Sequence, residues 1–239
     1  MAATVYLIPG LLHEEGLRSI PSYITDIVKQ CQVLFVENER TTRRYLKKLD
    51  KEIVIDDYEW FIVSGASKAP DTLQTIEVFK QKIKEEKIIG IISEAGCPGI
   101  ADPGQQLVAI AHELNIEVKP LVGPNSILLA LMASGMNGQQ FKFNGYLPIK
   151  DPERNKAIKE LESESAKKNC TQIFIETPYR NNQLTDALLS NCQALTKICI
   201  AVDLTSEKES IKTKTVADWK KNKPDIHKRP AIFLLYCEK

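Results

Sequence analysis

The sequence predicts an α/β protein of two α/β domains, the first built on a mostly parallel sheet and the second on a mixed one. Three observations lead there. Short β-branched runs alternate with segments of helical period through the first half of the chain, the signature of parallel βαβ units whose helices cover the sheet. The last strands follow one another without long helices between them, which calls for antiparallel pairing. At 239 residues, 43% hydrophobic and 26% charged, the chain holds one large or two modest domains with a real core.

The elements follow in order. Val5–Ile8, Val33–Val36, Ile88–Ile92 and Ile116–Val118 read as strands. Leu73, Ile76, Phe79 and Ile83 recur every three or four residues, as do Leu107, Ile110, Ala111 and Leu114, and each set marks one buried helix face. Tyr58, Trp60 and Phe61 read as a buried core strand. After Pro148, Lys150–Lys168 is a charged helix with Ala157, Ile158 and Leu161 on its buried side. A strand (Gln172–Ile175), a helix (Leu184, Ala187, Leu188) and a strand (Ile198–Val202) come next, then strands at Ile211–Thr215 and Ala231–Cys237. The helix Asn125–Ser134 is expected to bridge the halves, with the boundary near residue 122, giving domains 1–122 and 123–239.

Several classes are set aside. A net charge of +1 provides no global field, so any nucleic-acid contact must come from a local patch. No apolar run reaches the length of a membrane span. The start, Met1-Ala2-Ala3-Thr4, lacks the basic and apolar regions of a secretory signal. Six widely spaced cysteines and three histidines suit neither a disulfide framework nor a zinc site. The expectation is a cytoplasmic, metal-free protein with no membrane partner.

The loop Ser93-Glu94-Ala95-Gly96-Cys97-Pro98-Gly99-Ile100-Ala101-Asp102-Pro103-Gly104 follows a buried strand and precedes a helix. It lies where open α/β sheets bind ligands, at the carboxyl end of a strand. Read simply as a turn, it has Asp102 as helix cap and Pro103 at the first helical position. It contains two acids and no Lys or Arg, and it matches neither glycine-rich phosphate motif. That disfavours a polyphosphate and suits a neutral or cationic ligand such as S-adenosylmethionine (SAM). Three further strand-end turns share its character: Ile8-Pro9-Gly10, Leu121–Ser126 and Ile175–Arg180. Together they would surround one cleft between the halves.

The segments SEAGCPGIADPG, VGPNSILLALMASGM, FKFNGYLP and FIETPYR, in this order and spacing, resemble the tetrapyrrole methylase superfamily of SAM-dependent enzymes. More narrowly they resemble the branch that 2′-O-methylates a cytidine of small-subunit ribosomal RNA. The resemblance spans nearly the whole chain. It implies two α/β domains, a homodimer, and SAM in the cleft near Ile8, Pro9, Cys97, Ile100, Asn125, Ser126, Ile175, Pro230 and Ala231. Departures fall elsewhere. The family's A-E-D-T-R stands here as Val36-Glu37-Asn38-Glu39-Arg40, and its first-strand motif is reduced to Ile8-Pro9-Gly10-Leu11-Leu12. Asp57–Phe61 and Ser64-Gly65-Ala66-Ser67 stand where a histidine-rich stretch is expected.

Arg40, Arg43, Arg44, Lys47, Lys48 and Lys51 recur at helical spacing, with Tyr45, Leu46 and Leu49 as apolar flank. Such a stripe is either a solvated helix face or a track for RNA phosphates. A second basic cluster, Lys220–Arg229, is either an addition to it or a loop. In-line methyl transfer needs alignment rather than a covalent nucleophile, so Cys97 is expected as a wall residue. A ribose hydroxyl must lose a proton, and Glu37, Glu94 and Glu176 are the candidate catalytic carboxylates, with Tyr179 and Arg180 beside Arg40, Arg43 and Arg44 to hold the acceptor. Two other readings remain: a methyltransferase acting on a tetrapyrrole or protein side chain, and a non-catalytic RNA-binding relative.

Overall fold

The computed structural model describes residues 3–63 and 69–238, without the side chains of residues 69–72. The stretch Ser64–Ser67 therefore lies outside the described residues. The chain divides into two compact units, Met1–Asn125 and Ser126–Lys239, whereas the sequence placed the boundary near residue 122. The helix Ser126–Ser134 belongs to the second unit.

Unit 1 holds five strands, β1 (Thr4–Ile8), β2 (Val33–Val36), β3 (Glu59–Ile62), β4 (Ile88–Ile92) and β5 (Glu117–Pro120). All pair in parallel, in the order β3-β2-β4-β1-β5. Four helices connect them: α1 (Tyr23–Gln30), α2 (Glu39–Leu49), α3 (Ala69–Lys84) and α4 (Gly104–Glu113). The strand side chains alternate between two cores. Val5, Val33, Phe35, Ile89 and Ile91 pack with Phe79 of α3 and with Leu107 and Ala111 of α4. Tyr6, Ile8, Leu34, Val36 and Ile92 pack with Ile24 and Val28 of α1 and with Tyr45 and Leu46 of α2. Burial on both faces is why these strands read as unbroken apolar runs. The connections from the neighbours β1 and β4 leave for opposite faces, which makes their shared end the switch point of the sheet.

Unit 2 carries β6 (Phe141–Tyr146), β7 (Thr171–Ile175), β8 (Lys197–Val202), β9 (Ser210–Thr215) and β10 (Ala231–Tyr236), ordered β6-β7-β10-β8-β9. Only β6 and β7 are parallel; the other pairings are antiparallel. One face carries Phe174, Phe233, Ile198 and Ile200 against α6 (Asp151–Lys168), α7 (Asn181–Asn191) and α8 (Val216–Lys221). On the other face lies α5 (Ser126–Ser134), whose Ser134 carbonyl accepts from the Thr213 hydroxyl of β9 at 2.8 Å. The first sheet is parallel and the second mixed, as the sequence predicts. Among the described residues no helix is long and apolar enough to cross a membrane.

Some expectations change. β3 is an edge strand with Trp60 and Phe61 only half-buried, because no strand covers its outer side. Leu73 and Leu114 are exposed, 63% and 42%, since each sits at or beyond the end of the face its helix buries. The helices α1 and α8 and the strand β6 have no counterpart in the sequence reading.

Glu162 of α6 is buried and accepts from the Gln193 amide at 2.8 Å and from the Thr196 hydroxyl, anchoring the turn before β8. Glu162→Ala strands both donors away from water and is expected to cost about 2–4 kcal/mol. Urea unfolding followed by circular dichroism checks it.

Candidate functional site

Three strand-end loops of unit 1 meet at their glycines. Gly10, after β1, forms an isolated antiparallel bridge with Gly96, after β4; the Gly10 amide donates to the Gly96 carbonyl at 2.8 Å and the Gly96 amide returns a bond of 3.3 Å. A Cβ on Gly10 would lie 2.5 Å from the Ser93 carbonyl oxygen, so no larger residue fits. Gly123, after β5, lies against Pro9 so closely that a Cβ there would be 2.2 Å from the proline's Cβ. These glycines are required by close approach. The contacts bring together Ile8, Pro9, Cys97 and Asn125, four of the residues expected near the cofactor.

Their individual environments differ. Ile8 is fully buried, so only its backbone is available to a ligand. The Cys97 thiol donates to the Pro124 carbonyl at 3.5 Å and lies 3.8 Å from that of Gly123, and it shares a hydrogen bond with the buried Asn125 side chain. Ile100 is 48% exposed and offers an apolar surface on the same loop. Asp102 lies one residue before the N-cap, Pro103, and not at the cap itself; its carboxylate accepts from the Gly104 amide at 2.8 Å and from the Gly99 amide at 2.9 Å, which closes the loop onto the helix start. The helix starts at Gly104, so Pro103 precedes it rather than occupying its first position. In unit 2, Ile175 pairs with Ile232 of β10, beside Ala231, and the Pro230 carbonyl accepts from the Asp203 amide at 2.9 Å. Ser126 opens α5.

A cavity of about 570 Å³ lies within unit 1, walled by Gly10–Glu14, by Ser93–Ala95 and by Arg44, Lys47 and Lys48 of α2. Two bonds fix α2 there: the Tyr45 hydroxyl donates to the Pro9 carbonyl at 2.7 Å, and the Lys48 ammonium donates to the Glu14 carbonyl at 3.2 Å. Tyr45, read in the sequence as apolar flank, thus ties the basic helix to the loop after β1. Its alternation with leucines gave no signal for that bond. A larger hollow of about 710 Å³ follows the outer face of α6 alone, where Lys168 and Glu164 are spent on each other.

The cations of α2 divide in two. Arg40, Arg44 and Lys48 have no carboxylate partner among the described residues, Lys47 donates to the Lys51 carbonyl at 2.9 Å and is within electrostatic reach of Asp50 without pairing to it, and all four are exposed. Arg43 is turned elsewhere: it pairs with Glu39 at 2.6 Å and lies 5.2 Å from the centre of the Trp60 ring. Of the three α2 arginines expected to contact the acceptor, Arg43 alone is already paired with a carboxylate, and it points off the basic face by most of a right angle.

The three candidate carboxylates also separate. Glu37 Oε1 accepts from the Ser93 hydroxyl at 3.0 Å and the Glu94 amide at 2.8 Å, so it pins the end of β2 to the end of β4. Glu176 has 1% of its side chain exposed and is occupied by its neighbours: Oε1 accepts from the Thr177 amide at 2.7 Å and from Arg180 at 2.6 Å. Glu94 is exposed, its carboxylate has no partner among the described residues, and it lines the cavity. Arg180 is held by Glu176, while Tyr179 is 70% exposed.

Burial pushes the Cys97 thiol above the usual thiol range, and the Asn125 hydrogen bond offsets this only in part. A raised pKa keeps the neutral form dominant at neutral pH and leaves little thiolate to react. Alkylation of Cys97 by iodoacetamide, followed by mass spectrometry, should be slow at pH 7.5 and still accelerating above pH 9. A rate that levels off below pH 8 would show an activated thiolate instead of a wall residue.

Comparison with known proteins gives the family and the fold. Ribosomal RNA small subunit methyltransferase I of Vibrio cholerae serotype O1 is 28% identical over 220 residues, 91% of this chain and 70% of that protein. The proteins of the same name from Micromonospora olivasterospora and Halalkalibacterium halodurans are 31% and 30% identical, over 75% and 81% of this chain. They are covered to 52% and 65% of their own length, so the chain spans between half and two thirds of these two relatives. Among solved structures, the methyltransferase CobJ superposes with a TM-score of 0.61 at 14% identity, covering 98% of this chain and 93% of that one. Uroporphyrin-III C-methyl transferase from Thermus thermophilus, complexed with S-adenyl homocysteine, gives 0.57 at 13% identity, with 98% and 97% coverage. These likenesses establish a shared fold. The family described as Tetrapyrrole (Corrin/Porphyrin) Methylases matches residues 24–219, across the loop after β4 and most of both sheets, and the chain belongs to that family.

Proposed function

We propose that this chain is a SAM-dependent methyltransferase that acts on a ribose 2′-hydroxyl of ribosomal RNA. The observation that carries the acceptor is the unit 1 cavity, where an unpaired carboxylate, Glu94, faces a wall of unpaired cations on α2. From Arg44 to Lys48 that wall extends about 6 Å along the helix, and Arg40, outside the cavity, continues the unpaired basic face for about another 6 Å, a length suited to a run of phosphates. The names of the relatives, which refer to ribosomal RNA of the small subunit, support the same acceptor. The homodimer and the cytoplasmic location belong to the proposal as parts of the family resemblance.

The residues present fit SAM. The loop Ser93–Gly104 offers no cation to repel a sulfonium, and Cys97, Asn125 and the exposed Ile100 present one polar and one apolar surface near the stitched glycines. Ser126, Ile175, Pro230 and Ala231 are proposed as the further contacts that the family resemblance implies. When bound, SAM supplies an electrophilic methyl group. The chain's part is alignment, which is worth up to about 7–11 kcal/mol, and removal of one proton. Glu94 takes that proton on a carboxylate oxygen, Glu37 holds the Glu94 backbone in place, and Arg44 and Lys47 hold the flanking phosphates.

Two experiments test this. In calorimetry, SAM and S-adenosylhomocysteine should bind in the micromolar range and ATP should not. Gly10→Ala, which parts the loops after β1 and β4, should weaken SAM by about tenfold or more; micromolar binding of ATP alone overturns the cofactor. With labelled SAM and small ribosomal subunits, Glu94→Gln should lower kcat by about 100-fold or more while keeping SAM affinity. Arg44→Ala with Lys47→Ala should raise KM and flatten its salt dependence. Label that never enters the small-subunit RNA removes the RNA acceptor.

A further inference from the structure

A second cluster, entirely within unit 2, has the composition of a nucleic-acid contact. At the end of the sheet where β6 and β7 finish, two tyrosines are strongly exposed, Tyr146 at 61% and Tyr179 at 70%. Tyr146 pairs with Ile175, the last residue of β7, and Tyr179 lies in the short turn Pro178–Arg180 that follows. Arg180 belongs to the same surface, anchored on Glu176 and within electrostatic reach of Tyr146. The loop before β10 adds two more groups: the Lys228 ammonium is 5.8 Å from the centre of the Tyr179 ring, and the His227 ring meets it edge-on at 6.2 Å.

This surface is built rather than incidental. The Lys228 amide donates to the Pro178 carbonyl at 2.9 Å, which fixes the loop to the Tyr179 turn. The buried Asn181 side chain donates to the Arg229 carbonyl at 2.6 Å, and Asn182 accepts from the Ile226 amide at 2.9 Å. Lys228 itself has a positive φ of 62°, a conformation that costs a non-glycine residue energy. Arg229 is spent on Asp203 at 2.7 Å, and His227 lies beside the Asp225 carboxylate, which accepts from its backbone amide at 3.2 Å, whereas Lys228 has no carboxylate partner among the described residues. A strongly exposed tyrosine on a fixed turn, beside a lysine with no carboxylate partner, serves no packing purpose.

We propose that Tyr179 is a stacking platform for an unpaired RNA base, with Lys228 contacting the phosphate of that nucleotide and Tyr146 and Arg180 extending the strip. The proposal rests on the ribosomal RNA reading above and specifies the form of RNA: single-stranded at the point of contact, since a base inside a duplex cannot present its face to a side chain.

The test uses fluorescence anisotropy with a 12-nucleotide single-stranded RNA, its duplex, and protein-free small-subunit RNA. Tyr179→Ala should weaken the single strand about tenfold or more and leave the duplex and SAM affinities unchanged. Tyr179→Trp should restore the loss, and Lys228→Ala should lower the salt slope by about 0.7. If Tyr179→Ala binds within twofold of the parent while Arg44→Ala with Lys47→Ala is impaired, the platform is wrong and the RNA reading stands. If Tyr179→Trp fails as badly as Tyr179→Ala, the ring has a packing role and the platform is again wrong. A parent protein that binds none of the three RNAs overturns both.

Discussion

The arrangement of unit 1 depends on glycines that let three loops approach more closely than a Cβ allows, two of them backbone to backbone and the third against a proline ring. Gly10 lies against Gly96 and Ser93, and Gly123 lies against Pro9. Parallel strands deliver their carboxyl ends to one edge, but they do not by themselves make the loops touch. The missing Cβ atoms do that, and they place Cys97 and Asn125 beside the loop after β1. α2 is then fixed to the same loop by Tyr45 and Lys48, which sets the basic helix along one wall of the cavity.

Pairing, more than charge count, separates the functional surface from the rest. A net charge of +1 conceals many cations already matched to a carboxylate, such as Lys29 with Asp50 and Lys82 with Glu59. Exposed pairs of that kind add little to stability and leave little field to attract a partner. Arg40, Arg44, Lys47 and Lys48 are unmatched and adjacent, so their potentials add. The same sorting applies in unit 2, where Arg229 is neutralised by Asp203 and Lys228 is not.

The three glutamates illustrate how identical chemistry acquires different roles. Glu37 and Glu176 each accept two hydrogen bonds on a single oxygen from groups close in space. They act through the backbone they hold. Glu94, one residue beyond a buried strand, has its amide fixed and its carboxylate free. A proton acceptor needs both properties, a defined position and an unused lone pair.

The sequence by itself determined the two-unit α/β architecture, the parallel and mixed sheets, and the loops that carry the family motifs. Strand burial on both faces leaves apolar runs, and helices leave a three-to-four-residue period, so these features are local and legible. The edge strand β6 and the short helices α1 and α8 left weaker patterns. Only the tertiary structure decided which of six basic residues on one stretch remain free, since Arg43 differs from Arg44 by Glu39 and Trp60. It also decided that Glu94 is open while Glu37 and Glu176 are engaged, and that Tyr179 meets Lys228 from 49 positions away in sequence. The Glu39–Arg43 and Glu176–Arg180 pairs have the i,i+4 spacing that a sequence can record, whereas the Arg43–Trp60, Glu37–Ser93 and Tyr179–Lys228 contacts are chosen by three-dimensional proximity, of which spacing along the chain carries no record.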